Sequence, residues 1–301
     1  MDSAAPGRVA LIGVDWGTSN LRVMRIGADG AARDSRSDPR GAGQLQPQEF
    51  SGVLRDVAGD WLDDGHPIVV CGMAGARGRW RETEYVACSA GLDDLAGAFV
   101  RPEPALDVAI VPGVAVVDER GLVDVMRGEE TQAMGMFDAG QDGLIVAPGT
   151  HSKWVSVTNG RIADFRTFVT GELFAAVRQA TVIGAGLGEG DQDDAAFLEG
   201  VRRSLSDTAI TAALFSLRAR RLSGRLQDDA AADYLSGLLI GAELAAQATV
   251  ARDARLRIVG APGLSARYRL AMEAAGFTNM VVADGQAATA LGLWRIWSAS
   301  Q

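Results

Sequence analysis

The sequence predicts an α/β protein of two domains. Three observations predict it. Apolar runs rich in branched residues alternate with stretches of helical spacing. A strand–turn–strand motif with a glycine-threonine turn occurs twice, once near the start and once after the middle. Between the two, AGQDG at 139–143 is polar and glycine-rich, so the division falls there, giving 1–138 and 139–301. A chain of 301 residues is long enough for two domains of ordinary size.

The elements follow in order. Residues 8–14 (RVALIGV) are branched and apolar, the pattern of a buried strand. Asp15 to Ser19 is turn chemistry, and Leu21, Val23 and Ile26 alternate with polar neighbours in a returning antiparallel strand over 20–27. The polar, glycine-rich stretch 33–46 reads as loop. Over 47–64, Phe50, Val53, Leu54, Val57, Trp61 and Leu62 share one side of a helix. Strands are predicted at 67–71 and 107–111, and a helix at 129–138. The second half opens on a strand at 143–147, a tight turn at 148–152 and a strand at 153–158. Asn159-Gly160 then marks a hairpin leading into a strand at 161–168. Residues 193–250, dominated by Ala and Leu, are mostly helical. A strand at 256–260, a helix at 264–275, a strand at 280–283 and a helix at 285–298 complete the chain.

Composition excludes several function classes. Apolar residues make up 48% of the chain, enough for a sizeable core. The 37 glycines against 9 prolines have no collagen-like period and point to turns and ligand loops. A net charge of −9 argues against a nucleic-acid surface, which needs a basic patch. The densest basic group, Arg218, Arg220, Arg221 and Arg225, reads as a solvated helix face. Cys71 and Cys88 have no ligand spacing and read as reduced core residues. Two histidines, His66 and His151, cannot build a zinc triad without carboxylate help. No basic, apolar leader opens the sequence and no apolar run approaches a membrane span, so a cytoplasmic enzyme is expected, with no membrane or nucleic-acid partner. The sequence leaves room for a homodimer.

The two turns carry the chemistry. In Asp15-Trp16-Gly17-Thr18-Ser19-Asn20, Gly17 lets backbone approach a phosphate closely, and Thr18, Ser19 and Asn20 offer donors. Asp15 can hold Mg²⁺ through water, because that ion gives up water reluctantly. Alone, this is also a plain hairpin turn; the second turn, Gly149-Thr150-His151-Ser152-Lys153, strengthens the phosphate reading. His151 is suited to bonding phosphate or base and has no evident acid partner in the sequence. Lys153 serves either the phosphates or the solvation of a strand edge. No GxxxxGKS/T occurs, so this is not a P-loop chain.

DWGTSNLR and APGTHSKW resemble the first and second phosphate motifs of the actin–hexokinase ATPase superfamily. Val125 to Gln132 is loosely similar to the stretch that carries the catalytic acid in glycerol kinase. With CGMAG, DVMRGEETQ, FRTFVTGEL, LSGLLIGAEL and ARYRLA, these segments together resemble the 2-dehydro-3-deoxygalactonokinase family, over about residues 9–297. The resemblance implies two ribonuclease-H-like domains, each with a mixed five-stranded sheet, closing on a cleft that takes ATP. It implies phosphorylation of 2-dehydro-3-deoxy-D-galactonate at its 6-hydroxyl, with ATP and Mg²⁺, in galactonate catabolism. The first domain would carry the first phosphate turn and the sugar-acid site, the second the other phosphate turn and the adenosine site.

Within that reading, Glu129-Glu130 opens a helix, and the analogy makes one of them the base, Glu130 preferred. Without the family, two glutamates at a helix start only complement its dipole. Arg77 and Arg127 are the candidate clamps for the substrate carboxylate. Gly260 and Gly263, in VGAPGL, form a strand-to-helix turn suited to adenosine, or a simple helix start. The segment VIGAGLG at 182–188 imitates a dinucleotide fingerprint, but Glu189 breaks the pattern and no βαβ unit follows. Two alternatives stand beside this reading: a kinase for another keto-deoxy acid, and a non-catalytic nucleotide-binding switch of the same fold.

Overall fold

The computed structural model describes residues 8–103, 106–121, 123–188, 192–207 and 209–301. The opening residues 1–7 and Glu189, used in the leader and fingerprint readings, lie outside the described residues. Contacts group the chain into two compact units: Met1–Gly143 with Val155–Arg166 and Asp284–Gln301, and Leu144–Trp154 with Thr167–Ala283.

The first unit contains β1 (Val9–Trp16), β2 (Leu21–Gly27), β3 (Ala32–Asp38), β4 (Ile68–Gly72), β5 (Tyr85–Ala87), β6 (Val108–Ile110), β7 (Gly113–Val117) and β8 (Val123–Met126). Its helices before the division are α1 (Phe50–Ala58), α2 (Leu92–Gly97) and α3 (Glu129–Met136). The main sheet has the order β3-β2-β1-β4-β6. Strands β1, β2 and β3 pair antiparallel, while β4 and β6 run parallel to β1. This is the mixed five-stranded sheet expected of a ribonuclease-H-like domain. Its covered face is closed by Phe50, Val53, Leu54 and Ala58 of α1, at the spacing of one helix face. A second small sheet, β5-β7-β8, lies in the same unit.

The second five-stranded sheet joins β9 (Gly143–Ala147), β10 (Ser152–Thr158), β11 (Arg161–Phe168), β12 (Leu256–Val259) and β13 (Met280–Ala283) in the order β11-β10-β9-β12-β13. It repeats the order of the first, with β12 parallel to β9 and to β13. Asn159 and Gly160 both have positive φ, as a two-residue hairpin turn requires. The second unit's helices are α4 (Thr170–Ala180), α5 (Asp194–Ser206), α6 (Ile210–Leu222), α7 (Ala231–Ala246) and α8 (Pro262–Ala274). Val146, Trp154 and Ile258 of the sheet pack with Phe197 and Val201 of α5, Ile240 and Leu244 of α7, and Tyr268 of α8.

The chain ends in α9 (Gly285–Ala299), which groups with the first unit although the contiguous division at 138/139 put it in the second half. It crosses α3 at backbone distance: a Cβ on Gly135 would run into the Ala288 carbonyl, and one on Gly292 into the Thr131 carbonyl. Small residues on both helices thus decide where the last helix packs.

Three local expectations change. The stretch 33–46 is not all loop: its first part is β3, an edge strand of Asp, Arg and Ser whose exposed side chains hide it from an apolar-alternation test. The helix expected over 47–64 stops at Ala58, because Gly59 takes φ 54°, and a short 3₁₀ turn continues to Leu62. The arginine group on α6 is not a freely solvated face. Arg218 donates to the Val182 carbonyl, Arg220 to Glu199, and Arg221 to Asp228 and the carbonyls of Ala185 and Gly186. The glycine-rich 182–188 segment is therefore held by arginines through its own carbonyls.

Candidate active site

The first turn hangs from a buried tryptophan. Trp16 is fully buried and packs on Phe50 and Trp80 at ring-centroid distances of 4.7 and 5.8 Å. Its indole N–H donates to the Arg40 carbonyl at 3.1 Å. Gly17, Thr18, Ser19 and Asn20 follow, the last three exposed. Ala42 N–H donates to the Gly17 carbonyl and Gly43 N–H to the Thr18 carbonyl, both at 2.9 Å. Gly41 lies so close beneath the turn that any side chain there would meet the Thr18–Asn20 backbone. The turn is thus braced on the 41–43 segment with its donors facing outward.

Asp15, one residue before that anchor, is paired in register with Arg22 on β2 and with Cys71 on β4. Loss of solvent raises the Asp15 pKa, Arg22 opposes the rise, and the negative charge of Glu129 adds to it. Glu129 and Glu130 begin α3 directly after Gly128, whose φ of 107° favours glycine and whose open Cα side sits against Gly72 at the end of β4. The ends of β1 and β4 and the start of α3 therefore gather Asp15, Cys71, Glu129 and Glu130. Cys71 is buried, and its thiol pKa is pushed well up by burial and by the charges of Asp15 and Glu130, so it is an inert core thiol.

The two glutamates differ. Glu130 is fully buried; its carboxylate accepts from Gly128 N–H at 2.7 Å and from the Thr131 hydroxyl at 3.1 Å. Burial first, then the charge of Glu129, pushes its pKa up to about 7. Glu129 is only partly buried. The Glu130 carboxylate is therefore enclosed among protein donors, whereas Glu129 keeps partial exposure although its Oε2 is itself buried.

Asp15 is the residue expected to hold a metal. Its side chain is 30% exposed, and its carboxylate lies 4.0 Å from the Arg22 guanidinium. No group of three or more His, Cys, Asp or Glu side chains assembles a metal cage among the described residues. One accessible carboxylate without a cage fits an ion held mainly by water and phosphate, as Mg²⁺ is.

Arg77 is exposed and forms no ion pair among the described residues. Arg127 is partly buried, donates to the Thr83 hydroxyl and, at 3.2 Å, to the Thr83 carbonyl, and lies 4.6 Å from the Tyr85 ring centroid. Its Nε is buried without a hydrogen-bond partner.

In the second unit, Gly149, Thr150 and His151 form the open part of the turn, Thr150 and His151 exposed. His151 Nε2 lies 2.5 Å from a Glu172 carboxylate oxygen, so an acid partner exists that the sequence did not reveal. Ser152 is fully buried and gives its hydroxyl to Glu243 at 2.7 Å, so this side chain is engaged within the protein. Lys153 is buried, with its ammonium 3.5 Å from the His151 carbonyl, which removes the strand-edge solvation reading. The start of α4 presses on the same turn: Glu172 N–H donates to the Thr150 carbonyl at 3.0 Å, and a Cβ on Gly171 would lie 2.5 Å from the Gly149 carbonyl oxygen.

The adenosine segment divides in two. Gly260 sits against Pro148 of the turn, where a Cβ would lie 3.1 Å from the Pro148 carbonyl oxygen, whereas Gly263 borders open space in the first turn of α8. Beside them is a mainly apolar cavity of about 150 Å³ lined by Gly149, Gly171, Phe174, Ser236, Leu264 and Tyr268 among others. Sequence reasoning missed this cavity, the Gly41–Gly43 brace and Glu243. A buried acid in the otherwise apolar LSGLLIGAEL run was the available signal for the last of these.

Comparison with known proteins fits this geometry. Residues 15–296 match the model of a family described as 2-keto-3-deoxy-galactonokinase. A protein of Rhizobium meliloti (strain 1021) named "Probable 2-dehydro-3-deoxygalactonokinase DgoK1" is 40% identical over 293 residues, covering 93% of this chain and 94% of its own. The "2-dehydro-3-deoxygalactonokinase" of Escherichia coli (strain K12) is 35% identical over 277 residues, covering 92% of this chain and 94% of its own. A solved structure described as "Crystal structure of a putative 2-dehydro-3-deoxygalactonokinase protein from Sinorhizobium meliloti" superposes with a TM-score of 0.84 at 37% identity, covering 94% of this chain and 96% of that one. Both glycine turns and the glutamate pair fall inside the matched span, and the chain belongs to the 2-keto-3-deoxy-galactonokinase family.

Proposed function

We propose that this protein is an ATP-dependent 2-dehydro-3-deoxygalactonokinase. It transfers the γ-phosphoryl group of ATP to the 6-hydroxyl of 2-dehydro-3-deoxy-D-galactonate and releases ADP, serving galactonate catabolism in the cytoplasm. The observation that carries this reading is the family match over residues 15–296, which includes every residue assigned a role below.

Phosphoryl transfer asks a protein mainly for positioning and charge stabilisation. Gly17, Thr18, Ser19 and Asn20 in the first unit, and Gly149, Thr150, His151 and Lys153 in the second, take the phosphates. The exposed hydroxyls and backbone N–H groups of both turns suit them to it. Ser152 supports its turn from within. Asp15 holds Mg²⁺, which when bound neutralises phosphate charge. Glu129 accepts the proton of the attacking hydroxyl. Glu130, bonded to Gly128 and Thr131, fixes the start of α3 beneath it. Arg77 clamps the substrate carboxylate, and Arg127 assists. Adenosine enters the cavity lined by Gly149 and Leu264, with Gly263 preceding Leu264 in the chain and Gly260 packed against Pro148.

The test is ADP release with ATP, Mg²⁺ and a panel of sugar acids. Acceptor-dependent release with 2-dehydro-3-deoxygalactonate, and much less with other keto-deoxy acids, is expected. Release with none of them, despite nucleotide binding, would favour the non-catalytic switch.

A further inference from the structure

One buried carboxylate in the second unit has no part in the chemistry above. Glu243, near the end of α7, is 2% exposed. Its Oε1 accepts from the Ser152 hydroxyl and from the Trp154 indole N–H, each at 2.7 Å. Its Oε2 accepts from the Thr170 hydroxyl at 2.6 Å and the Tyr268 hydroxyl at 2.7 Å. Four donors from β10, α4 and α8 thus converge on one side chain of a fourth element. Burying a carboxylate is costly unless hydrogen bonds offset it, and an apolar residue here would leave four donors without their acceptor. What the carboxylate provides that an apolar residue cannot is a fixed geometry among its partners.

Those partners surround the second glycine turn. Ser152 and Trp154 are alternate residues on the strand that leaves it. Thr170 begins the helix whose next residue, Gly171, presses on the Gly149 carbonyl, and whose Glu172 N–H caps the Thr150 carbonyl. Thr170 and Tyr268 also line the cavity that contains Gly149. One side chain therefore ties the strand side of the turn, its helix side and the cavity wall together without itself belonging to the open surface.

We propose that Glu243 is a positioning residue for nucleotide: it holds the Gly149–Lys153 turn and the wall of the neighbouring cavity in the arrangement that binds the phosphates and base. This rests on the kinase reading for the identity of the ligand.

The test measures ADP affinity by calorimetry and, separately, the KM for ATP and for the sugar acid, in wild type, Glu243→Gln, Glu243→Leu and Trp154→Phe. Gln can keep its oxygen toward Trp154 and donate its amide to the Thr170 and Tyr268 hydroxyls, so it should preserve the arrangement best. ADP binding should weaken by about threefold in Glu243→Gln and by tenfold or more in Glu243→Leu, while the KM for the sugar acid stays within twofold. Trp154 is not among the cavity-lining residues, so weakened ADP binding in Trp154→Phe would be transmitted through the carboxylate. If Glu243→Leu does not fold, Glu243→Gln and Trp154→Phe decide alone. Variants that melt earlier yet bind ADP as wild type does would overturn the proposal and leave Glu243 a core residue. Should wild type bind ADP but phosphorylate no sugar acid, the kinase reading fails and the ADP affinities still judge Glu243. Absence of ADP binding in wild type would overturn both.

Discussion

Asp15 and Arg22 face each other across the first hairpin, register partners on β1 and β2 with carboxylate and guanidinium 4.0 Å apart. At that separation, and with Asp15 30% exposed, the pair is an electrostatic neighbourhood rather than a closed salt bridge. The carboxylate keeps capacity for a ligand. Asp15→Asn should therefore reduce turnover by several orders of magnitude while circular dichroism and the melting temperature stay close to wild type. Near-normal turnover at saturating Mg²⁺ would remove Asp15 from the metal site.

The less buried member of the glutamate pair, Glu129, should be the base. Glu129→Gln is expected to lower kcat by about 10²–10⁴-fold, the usual worth of a general base, with ADP affinity unchanged. Glu130→Gln should cost far less, because its carboxylate is sealed between Gly128 and Thr131. Steady-state kinetics on both variants separates the two roles. A dead Glu130→Gln beside a healthy Glu129→Gln would reverse the assignment.

Glu130 also makes a prediction about stability. Its pKa rises from 4.5 to about 7 on folding, so between those values the folded protein holds a proton that the unfolded chain has lost. Stability contributed by this group is accordingly highest at low pH and falls as pH rises through that window, by an amount on the order of a few kcal/mol. Glu130→Gln removes the titration. Thermal melts from pH 5 to 8 should show wild type losing melting temperature relative to the variant; parallel curves would contradict the burial argument.

The arginines should separate by what they already hold. Arg127 is committed to Thr83 and Tyr85, so Arg127→Ala should lower the melting temperature as well as weaken substrate binding. Arg77 is exposed, so Arg77→Ala should leave the melting temperature unchanged and raise the KM of the sugar acid well above that of ATP. Equal changes in both KM values for Arg77→Ala would mean that it does not clamp the carboxylate.

Gly171→Ala tests the second turn. The new Cβ would sit 2.5 Å from the Gly149 carbonyl oxygen and 2.9 Å from Thr150 Cα, both backbone atoms that cannot swing away. The turn must shift, at a cost of about 1–3 kcal/mol. A lower melting temperature together with a raised KM for ATP is expected, read by calorimetry and kinetics; unchanged ATP kinetics would detach this turn from the nucleotide.

Much of this was legible in the residues themselves. The repeated strand–turn–strand motif, the Asn159-Gly160 hairpin and the branched apolar runs follow from local rules of pleat, turn and burial, and they recovered most strands of both five-stranded sheets. The two glycine turns and the glutamate pair were visible because each is contiguous in sequence. Other features depend on partners distant along the chain. The polar edge strand β3 is defined by its pairing with β2, and the place of α9 by glycines that admit the backbone of α3. Glu129 and Glu130 are chemically alike and adjacent, and only burial by the surrounding elements seals one and leaves the other partly exposed. Glu243 lies 91 residues from Ser152 and 73 from Thr170, so no local pattern could join them. The sequence by itself determined the elements and the chemical parts. The tertiary structure decided which carboxylates meet water, which meet buried donors, and which turn each one holds, because solvation and hydrogen bonding are properties of the packed neighbourhood and not of the residue alone.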